Sequence, residues 1–113
     1  MKEEQTITLN QNLISMLGFA QKARVIEKGF QAAKRGIIRG KVAFLLLDKS
    51  IGENSLKKTM SMARLHKIPV LIINEGPNQQ TLFNIAGYKI LGVHKGELAA
   101  GFIQKLKQEY QWL

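Results

Sequence analysis

The segment from Lys28 to Arg35 combines a glycine, an amide and basic side chains at the start of a predicted helix. Gly29 has no Cβ, so the backbone of a nucleic acid can approach it closely. The first N–H groups of the following helix carry the positive end of its dipole, which favours phosphate. Gln31 can donate and accept hydrogen bonds at a base edge, and Lys34 and Arg35 lie one turn further on. The pattern fits a nucleic-acid contact, and it fits equally well a glycine turn before an ordinary basic helix.

Phe30 and Lys41 are the other candidate binding residues in this part of the sequence. An exposed Phe30 could stack on an unpaired base, a contact worth about 1–3 kcal/mol. Phe30 could also be buried under the predicted sheet, and of the two alternatives we favour burial. Lys41 follows the helix, and we expect it, with Lys57 and Lys58, to neutralise phosphates.

Residues suited to catalysis or metal binding are not grouped in the sequence. His66 and His94 have no acidic residue at a spacing that would pair with them, and the carboxylates occur singly. The chain has no cysteine, which excludes disulfides and thiolate chemistry. The glycines from Gly36 to Gly40 lack the spacing of a phosphate-binding loop. We therefore predict that the protein is not an enzyme and has no catalytic residues, no cofactor, no metal site and no small-molecule substrate.

The excess of basic over acidic residues is confined to one part of the chain. The 113 residues carry 17 Lys and Arg against 8 Asp and Glu, a net charge of +9. Between Lys22 and Lys67 there are twelve basic and three acidic residues, and the rest of the chain sums to zero. A local excess of cations is typical of a surface that binds a polyanion. A nucleic acid is the partner that this charge favours; a basic surface without a partner and an anionic membrane are the weaker alternatives.

Length and composition predict one globular domain. The hydrophobic fraction of 45% is enough to form a core, and the length suits a single domain. The longest apolar runs, such as Val42–Leu47, are far shorter than the roughly 20 residues that span a bilayer. The first 20 residues lack the pattern of a signal peptide. We expect a monomer in the cytoplasm that makes no membrane contact.

Helical and strand patterns alternate along the chain. We expect a flexible tail over residues 1–9 and a single domain over residues 10–113. Helices are predicted near 10–24, 29–39, 53–66, 79–86 and 97–110, and strands near 25–26, 42–47, 70–73 and 88–94. Ser50 and Glu53 have the spacing of a capping box before the third helix. The order predicts a three-layer α/β/α sandwich around a small mixed sheet of about four strands.

The opening of the predicted domain resembles a known family. The stretch from Leu13 to Arg24, LISMLGFAQKAR, followed by VIEKG to Gly29, is similar to bacterial YlxQ-type proteins of the ribosomal L-seven-Ae / L-thirty-e family. The likeness continues through Val42–Asp48, Asn54–Lys58 and Lys67–Val70, and it covers roughly residues 10 to 110. Members of this family bind kink-turn RNA and have an α/β/α fold.

The resemblance implies which residues contact RNA. Gly29 matches the glycine of the family motif, Gln31 its base-reading Asn, and Arg35 its Lys, with Lys34 adjacent. A second loop, which packs against a flipped-out nucleotide in the family, corresponds to Ile85, Ala86 and Gly87. The RNA-binding residues that we predict are Lys28, Gly29, Phe30, Gln31, Lys34, Arg35, Lys41, Ile85, Ala86 and Gly87.

Two positions depart from the family motif and keep a second function open. Ala32 stands where the motif has a Glu that accepts from a guanine amino group, and Phe83 stands where many members have Gly. The sequence therefore predicts an RNA-binding protein of the ribosomal type that recognises structured RNA, with ribosomal RNA as the expected partner. The alternative is a protein-interaction module that has the same fold and has lost specific RNA binding.

Overall fold

The computed structural model describes residues 4–8, 11–74 and 88–109. These residues form five strands and four helices. The elements are β1 (Glu4–Thr8), α1 (Gln11–Lys22), β2 (Ile26–Lys28), α2 (Phe30–Ile38), β3 (Val42–Asp48), α3 (Glu53–His66), β4 (Val70–Asn74), β5 (Ile90–His94) and α4 (Glu97–Glu109). No helix in the described parts of the chain is long and apolar enough to cross a membrane.

The five strands form one mixed sheet in the order β1-β4-β3-β5-β2. β4 runs parallel to β1 and β3, whereas β5 runs antiparallel to β3 and β2. The carboxyl ends of β1, β2, β3 and β4 therefore lie at one end of the sheet, together with the start of β5. We call this the Gly29 end, because Gly29 follows β2 there, and we call the opposite end the distal end.

Helices cover both faces of the sheet, as predicted. The connections through α2 and α3 join parallel strands and run in the same direction across the sheet, so right-handed crossovers place both helices on one face. α2 and α3 contact each other, and α1 contacts α4. The result is the predicted α/β/α sandwich.

β3 lies at the centre of the core because it is apolar on both faces. Its residues Phe44, Leu45, Leu46 and Leu47 have no exposed surface. On one face Phe44 stacks on Phe102 of α4, with ring centroids 5.2 Å apart. Leu45 and Leu47 belong to the buried cluster on the α2–α3 side. A continuous apolar run is the pattern expected of a strand covered on both sides.

The N-terminal strand β1 was not predicted. Residues 1–9 were expected to form a flexible tail, and Glu4–Thr8 instead pairs along β4 from Val70 to Asn74. This strand raises the sheet from about four strands to five. The partner of β1 is more than sixty residues away in the sequence, so no local pattern in the first eight residues signals the pairing.

The predicted capping box at Ser50 and Glu53 is also wrong. α3 begins after Gly52, and no side chain caps its N-terminus. The hydroxyl of Ser50 instead donates to Oδ2 of Asp48 at 2.8 Å. The Ser50 hydroxyl is thus used within the turn after β3 and does not cap the helix. Short polar side chains often form such local hydrogen bonds near chain reversals.

Candidate nucleic-acid interface

Gly29 joins β2 to α2 in a backbone conformation that favours glycine. Its φ is 89° and its ψ is 167°. Its N–H donates to the carbonyl of Ile90 at 2.8 Å, and its carbonyl accepts the first helical hydrogen bond from Ala33 at 3.0 Å. Among the described residues, no side chain caps the N-terminus of α2. The N–H groups of its first turn can therefore bind water or an anion.

The exposed side of α2 carries the polar residues that the sequence predicted. Gln31, Lys34 and Arg35 are exposed, whereas Ala33 and Ile37 face the core and are buried. Neither basic side chain forms an ion pair with any side chain that the structure describes. The amide and two cations are thus presented together along one side of a helix whose start is uncapped.

Tyr88 is a neighbour of Gly29 that the sequence did not indicate. Tyr88 is 45% exposed. Its ring carbons Cδ1 and Cε1 would lie 3.1 and 3.2 Å from a Cβ at position 29, so the ring packs directly against the glycine. The sequence pattern assigned Tyr88 to the last strand, but β5 begins only at Ile90. This places an exposed aromatic ring beside the start of α2.

Phe30 packs against the protein core, and its assignment as an RNA-binding residue stays a prediction. Its ring is half-buried and packs against the buried cluster between the sheet and the helices α2 and α3. Nζ of Lys58 lies 4.8 Å from the ring centroid, a cation–π contact. A base could stack on Phe30 only after Lys58 moved away. Burial, the alternative that the sequence favoured, is the one observed.

Lys28 and Lys41 lie at opposite ends of the sheet. Lys28 is the last residue of β2, directly before Gly29, and is half-buried. Lys41 comes before β3 at the distal end, where its carbonyl accepts from the N–H of Lys95 at 2.8 Å. The length of β3 separates the two ends by roughly 20 Å. Lys41 therefore does not join the group around Gly29.

The remaining candidates cannot be placed. Ile85, Ala86 and Gly87 lie outside the described residues. We use the name Gly29 surface for the described residues that do come together at this end of the sheet. These residues are Lys28, Gly29, Gln31, Lys34, Arg35 and Tyr88.

Two lysines near the Gly29 surface already have polar partners. Nζ of Lys57 lies 3.4 Å from Oε1 of Glu53, one turn earlier on α3. Nζ of Lys89 donates to the carbonyl of Ser50 at 3.3 Å. Since both pairs are exposed, each contributes little to stability. They leave Lys34 and Arg35 as the cations best placed for a ligand at α2.

The structure pairs His94 with Glu27, contrary to the sequence interpretation that neither histidine has an acidic partner. Nε2 of His94 lies 2.7 Å from Oε2 of Glu27, and both side chains are largely buried, at 22% and 30% exposure. The antiparallel pairing of β2 with β5 brings these residues together across 67 positions. Among the described residues, no group of three His, Cys, Asp or Glu side chains could hold a metal ion.

The fold is found in other proteins, although sequence comparison alone does not detect them. No known family matches the sequence, and no curated protein sequence matches it. A solved structure of a protein of unknown function from Bacillus halodurans has a TM-score of 0.69 and 25% identity. The similarity covers 88% of this chain and 96% of that one.

Two further solved structures with this fold have described roles. The Giardia lamblia 15.5kD RNA binding protein has a TM-score of 0.66 and 13% identity, and the match covers 89% of this chain and 92% of that one. An archaeal translation termination factor has a TM-score of 0.53 and 17% identity. That match covers 71% of this chain but only 23% of the factor. The chain therefore has an α/β/α fold that also occurs in an RNA-binding protein and in part of a translation factor.

Proposed function

We propose that this protein binds structured RNA through the Gly29 surface and acts in or around the ribosome in the cytoplasm. In this proposal it works by binding, as a monomer, and not by catalysis. The resemblance of its opening segment to the kink-turn RNA-binding family supports this function. The shared fold with the Giardia lamblia RNA binding protein supports it independently.

The observation that carries the proposal is the uncapped start of α2 after Gly29. Gly29 has no side chain that could cap the first-turn N–H groups, and no other described side chain caps them. A phosphate oxygen can accept from these groups and is favoured by the helix dipole. Gln31 is exposed two residues later, within reach of a base next to that phosphate.

The surroundings of Gly29 supply the other parts of an RNA contact. Lys34 and Arg35 provide charge for phosphates, which accounts for most of the affinity in such complexes. Tyr88 provides a flat aromatic surface beside the glycine, on which a base could stack. In our proposal the cations position the RNA, while Gln31 and Tyr88 discriminate between RNA structures.

The test is a salt titration of binding to two short RNAs of equal length, one with a kink-turn and one a plain duplex. We expect the wild-type protein to prefer the kink-turn by at least about tenfold, which corresponds to about 1.4 kcal/mol. Gln31→Ala should remove most of this preference, because a base-edge contact is worth about 1–3 kcal/mol of discrimination. Lys34→Gln should instead weaken both RNAs alike and lower the salt slope by about one.

The matched control is Gln104→Ala, which removes an exposed amide from α4 on the other side of the sheet. This variant should bind both RNAs as the wild type does. An equal loss for both RNAs with Gln31→Ala would contradict its role as a reader. If neither RNA binds at low salt, the RNA function is wrong. The protein-interaction alternative, which Ala32 favours, would then replace it.

A further inference from the structure

We infer that the distal end of the sheet is a second RNA-binding surface, which holds the phosphate backbone of a separate RNA duplex. The surface consists of four basic residues, one at the distal end of each of four adjacent strands. We call it the distal basic row. From β4 to β2 its members are Lys67, Lys41, Lys95 and Arg24.

Backbone hydrogen bonds hold three of these positions side by side. The N–H of Lys95 donates to the carbonyl of Lys41 at 2.8 Å, which joins the ends of β5 and β3. The N–H of His94 donates to the carbonyl of Val25 at 2.8 Å, which brings Arg24 next to Lys95. Adjacent strands lie about 4.8 Å apart, so four neighbouring strands place the row over roughly 14 Å.

Lys67 extends the row on the other side of β3. Val70, the first residue of β4, is level with Leu45 of β3. Lys67 ends α3 and precedes β4, as Lys41 precedes β3. The parallel pairing of β3 with β4 therefore sets Lys67 and Lys41 at the same, distal end of the sheet.

All four side chains in the distal basic row are exposed. Lys22 and Arg39, also exposed, add further positive charge from the ends of α1 and α2. Among the side chains that the structure describes, the carboxylates at this end are Glu97, at the start of α4, and Glu27, which contacts His94. Cations clearly exceed carboxylates there, as a polyanion partner requires.

The backbone conformation at three helix ends is an independent reason to assign a function to the row. α1, α2 and α3 all end at the distal end with the same pair of backbone hydrogen bonds. In α2 these bonds run from Gly40 to Ile37 and from Lys41 to Gly36, at 2.9 Å each. The residue in the left-handed conformation is Gly40, with φ 72°. Glycine is the usual residue at this position of a helix end.

The ends of α1 and α3 place a basic residue where α2 has glycine. Arg24 has φ 59° and Lys67 has φ 57°, and these are the two non-glycine residues with positive φ in the described parts of the chain. A residue with a Cβ is strained in this backbone conformation, and glycine in its place would relieve the strain. Strain that persists at an exposed site points to a function for the side chain itself.

Charge at helix ends has a second explanation, which the proposal must exclude. Basic side chains near the carboxyl end of a helix are favoured by the helix dipole, and this would make Arg24 and Lys67 purely stabilising residues. Lys41 also follows the carboxyl end of α2, but the dipole does not account for Lys95, which follows β5 and precedes the amino end of α4. A phosphate backbone accounts for all four residues, because it presents charges at short intervals along a line.

The distal basic row and the Gly29 surface lie at opposite ends of the sheet, so one protein could bridge two RNA segments. The inference goes beyond the function proposed above and does not depend on it, because the two surfaces share no residue. It assigns Lys41, which the sequence grouped with Gly29, to a different contact.

The test uses the full-length protein and two short RNA duplexes, one with a donor and one with an acceptor fluorophore, at low salt. We expect the wild-type protein to bring the duplexes together and produce energy transfer. The double variant Lys41→Gln/Lys95→Gln should still bind one duplex but lose the transfer, and its salt slope should fall by about two. The control Lys105→Gln/Lys107→Gln has the same charge change on α4, outside both surfaces, and it should keep the transfer.

The outcomes separate this inference from the proposed function. Unchanged duplex binding, salt slope and transfer with Lys41→Gln/Lys95→Gln overturns the distal surface and leaves the Gly29 surface untouched. Transfer needs both surfaces, so its absence in the wild type means that at most one of them binds a duplex. The distal surface is then overturned if Lys41→Gln/Lys95→Gln leaves duplex binding unchanged. If Lys41→Gln/Lys95→Gln abolishes duplex binding while Lys34→Gln/Arg35→Gln does not change it, the distal row binds RNA and the proposed Gly29 surface is wrong.

A second variant distinguishes RNA binding from helix stabilisation. Arg24→Gly/Lys67→Gly puts glycine at the two strained positions and removes two charges of the row. We expect its melting temperature to be equal to or above that of the wild type, while energy transfer is lost. A lower melting temperature with intact transfer would show that the two side chains only stabilise the helix ends, and the inference would fail.

Discussion

At the scale of single residues, Gly29 connects backbone geometry with binding. Its left-handed conformation starts α2 without a side-chain cap, and its missing Cβ leaves room for the ring of Tyr88. Both properties depend on the absence of a side chain. The residue is therefore required twice, once for the path of the chain and once for the packing of its neighbour.

We predict that Gly29→Ala destabilises the protein by about 1–3 kcal/mol more than Gly52→Ala, since the positive-φ, extended region that Gly29 occupies is essentially restricted to glycine. Gly52 is a matched control, because it also precedes a helix without a side-chain cap, but with φ −65° and no atom within 4 Å of an added Cβ. Urea denaturation measures the difference. Equal losses in the two variants would mean that Tyr88 and the backbone adapt to the alanine.

At the scale of secondary-structure elements, α2 must pack tightly to hold the Gly29 surface in place. Gly36 lies on the buried side of α2, where a Cβ would come within 2.8 Å of Cγ2 of Val42 and 3.2 Å of Cγ of Glu27. The helix therefore approaches β3 and β2 more closely than a larger residue allows. This contact sets the position of α2, and with it that of Gln31 and Lys34.

Gly36→Ala should lower stability, although alanine is the better helix former. The gain in helix propensity is up to about 1 kcal/mol, and the cost of overpacking is typically about 1–3 kcal/mol. We expect a net loss of about 1 kcal/mol in thermal or urea denaturation. Gly18→Ala in α1 is the comparison, because no described atom lies within 4 Å of an added Cβ. That variant should be neutral or more stable, and a gain for Gly36→Ala would refute the tight contact.

At the scale of the whole molecule, the sheet order determines which loops meet. β5 lies between β3 and β2, so the start of β5 brings Tyr88 to Gly29, and its end brings Lys95 to Lys41. β1 covers the other side of β4 and makes that strand internal. The two basic surfaces are consequences of this order, since neither is a continuous segment of the chain.

Deletion of residues 1–8 should expose the edge of β4. The backbone amides of β4 that bond to β1 would lose their partners, so we expect alternate amides in Val70–Asn74 to exchange hydrogen faster and the melting temperature to fall. Native-state hydrogen exchange measures this directly. The amides of β5, which does not contact β1 in the sheet, serve as the internal reference. Unchanged exchange in β4 would indicate that β1 does not protect this edge in solution.

Local patterns in the sequence were sufficient for most of the described elements and for part of the Gly29 surface; the predicted helix near 79–86 lies outside the described residues. The apolar run of β3 and the glycine before α2 are short-range signals, and each produced the predicted element. The polar face of α2 follows from helical periodicity, so the exposure of Gln31, Lys34 and Arg35 was predictable. In these cases the residues that carry the information lie within a few positions of one another.

Long-range pairing could not be inferred in this way, and it produced the remaining features. The contact of Tyr88 with Gly29, the pair of His94 with Glu27 and the edge strand β1 each join residues about sixty or more positions apart. Lys41 and Lys95 in the distal basic row also come from distant parts of the chain. A strand can pair with any compatible neighbour, and the free energy that selects one comes from packing the whole core. Short stretches of sequence therefore determine the helices and strands. Which side chains come together is decided only when the sheet assembles.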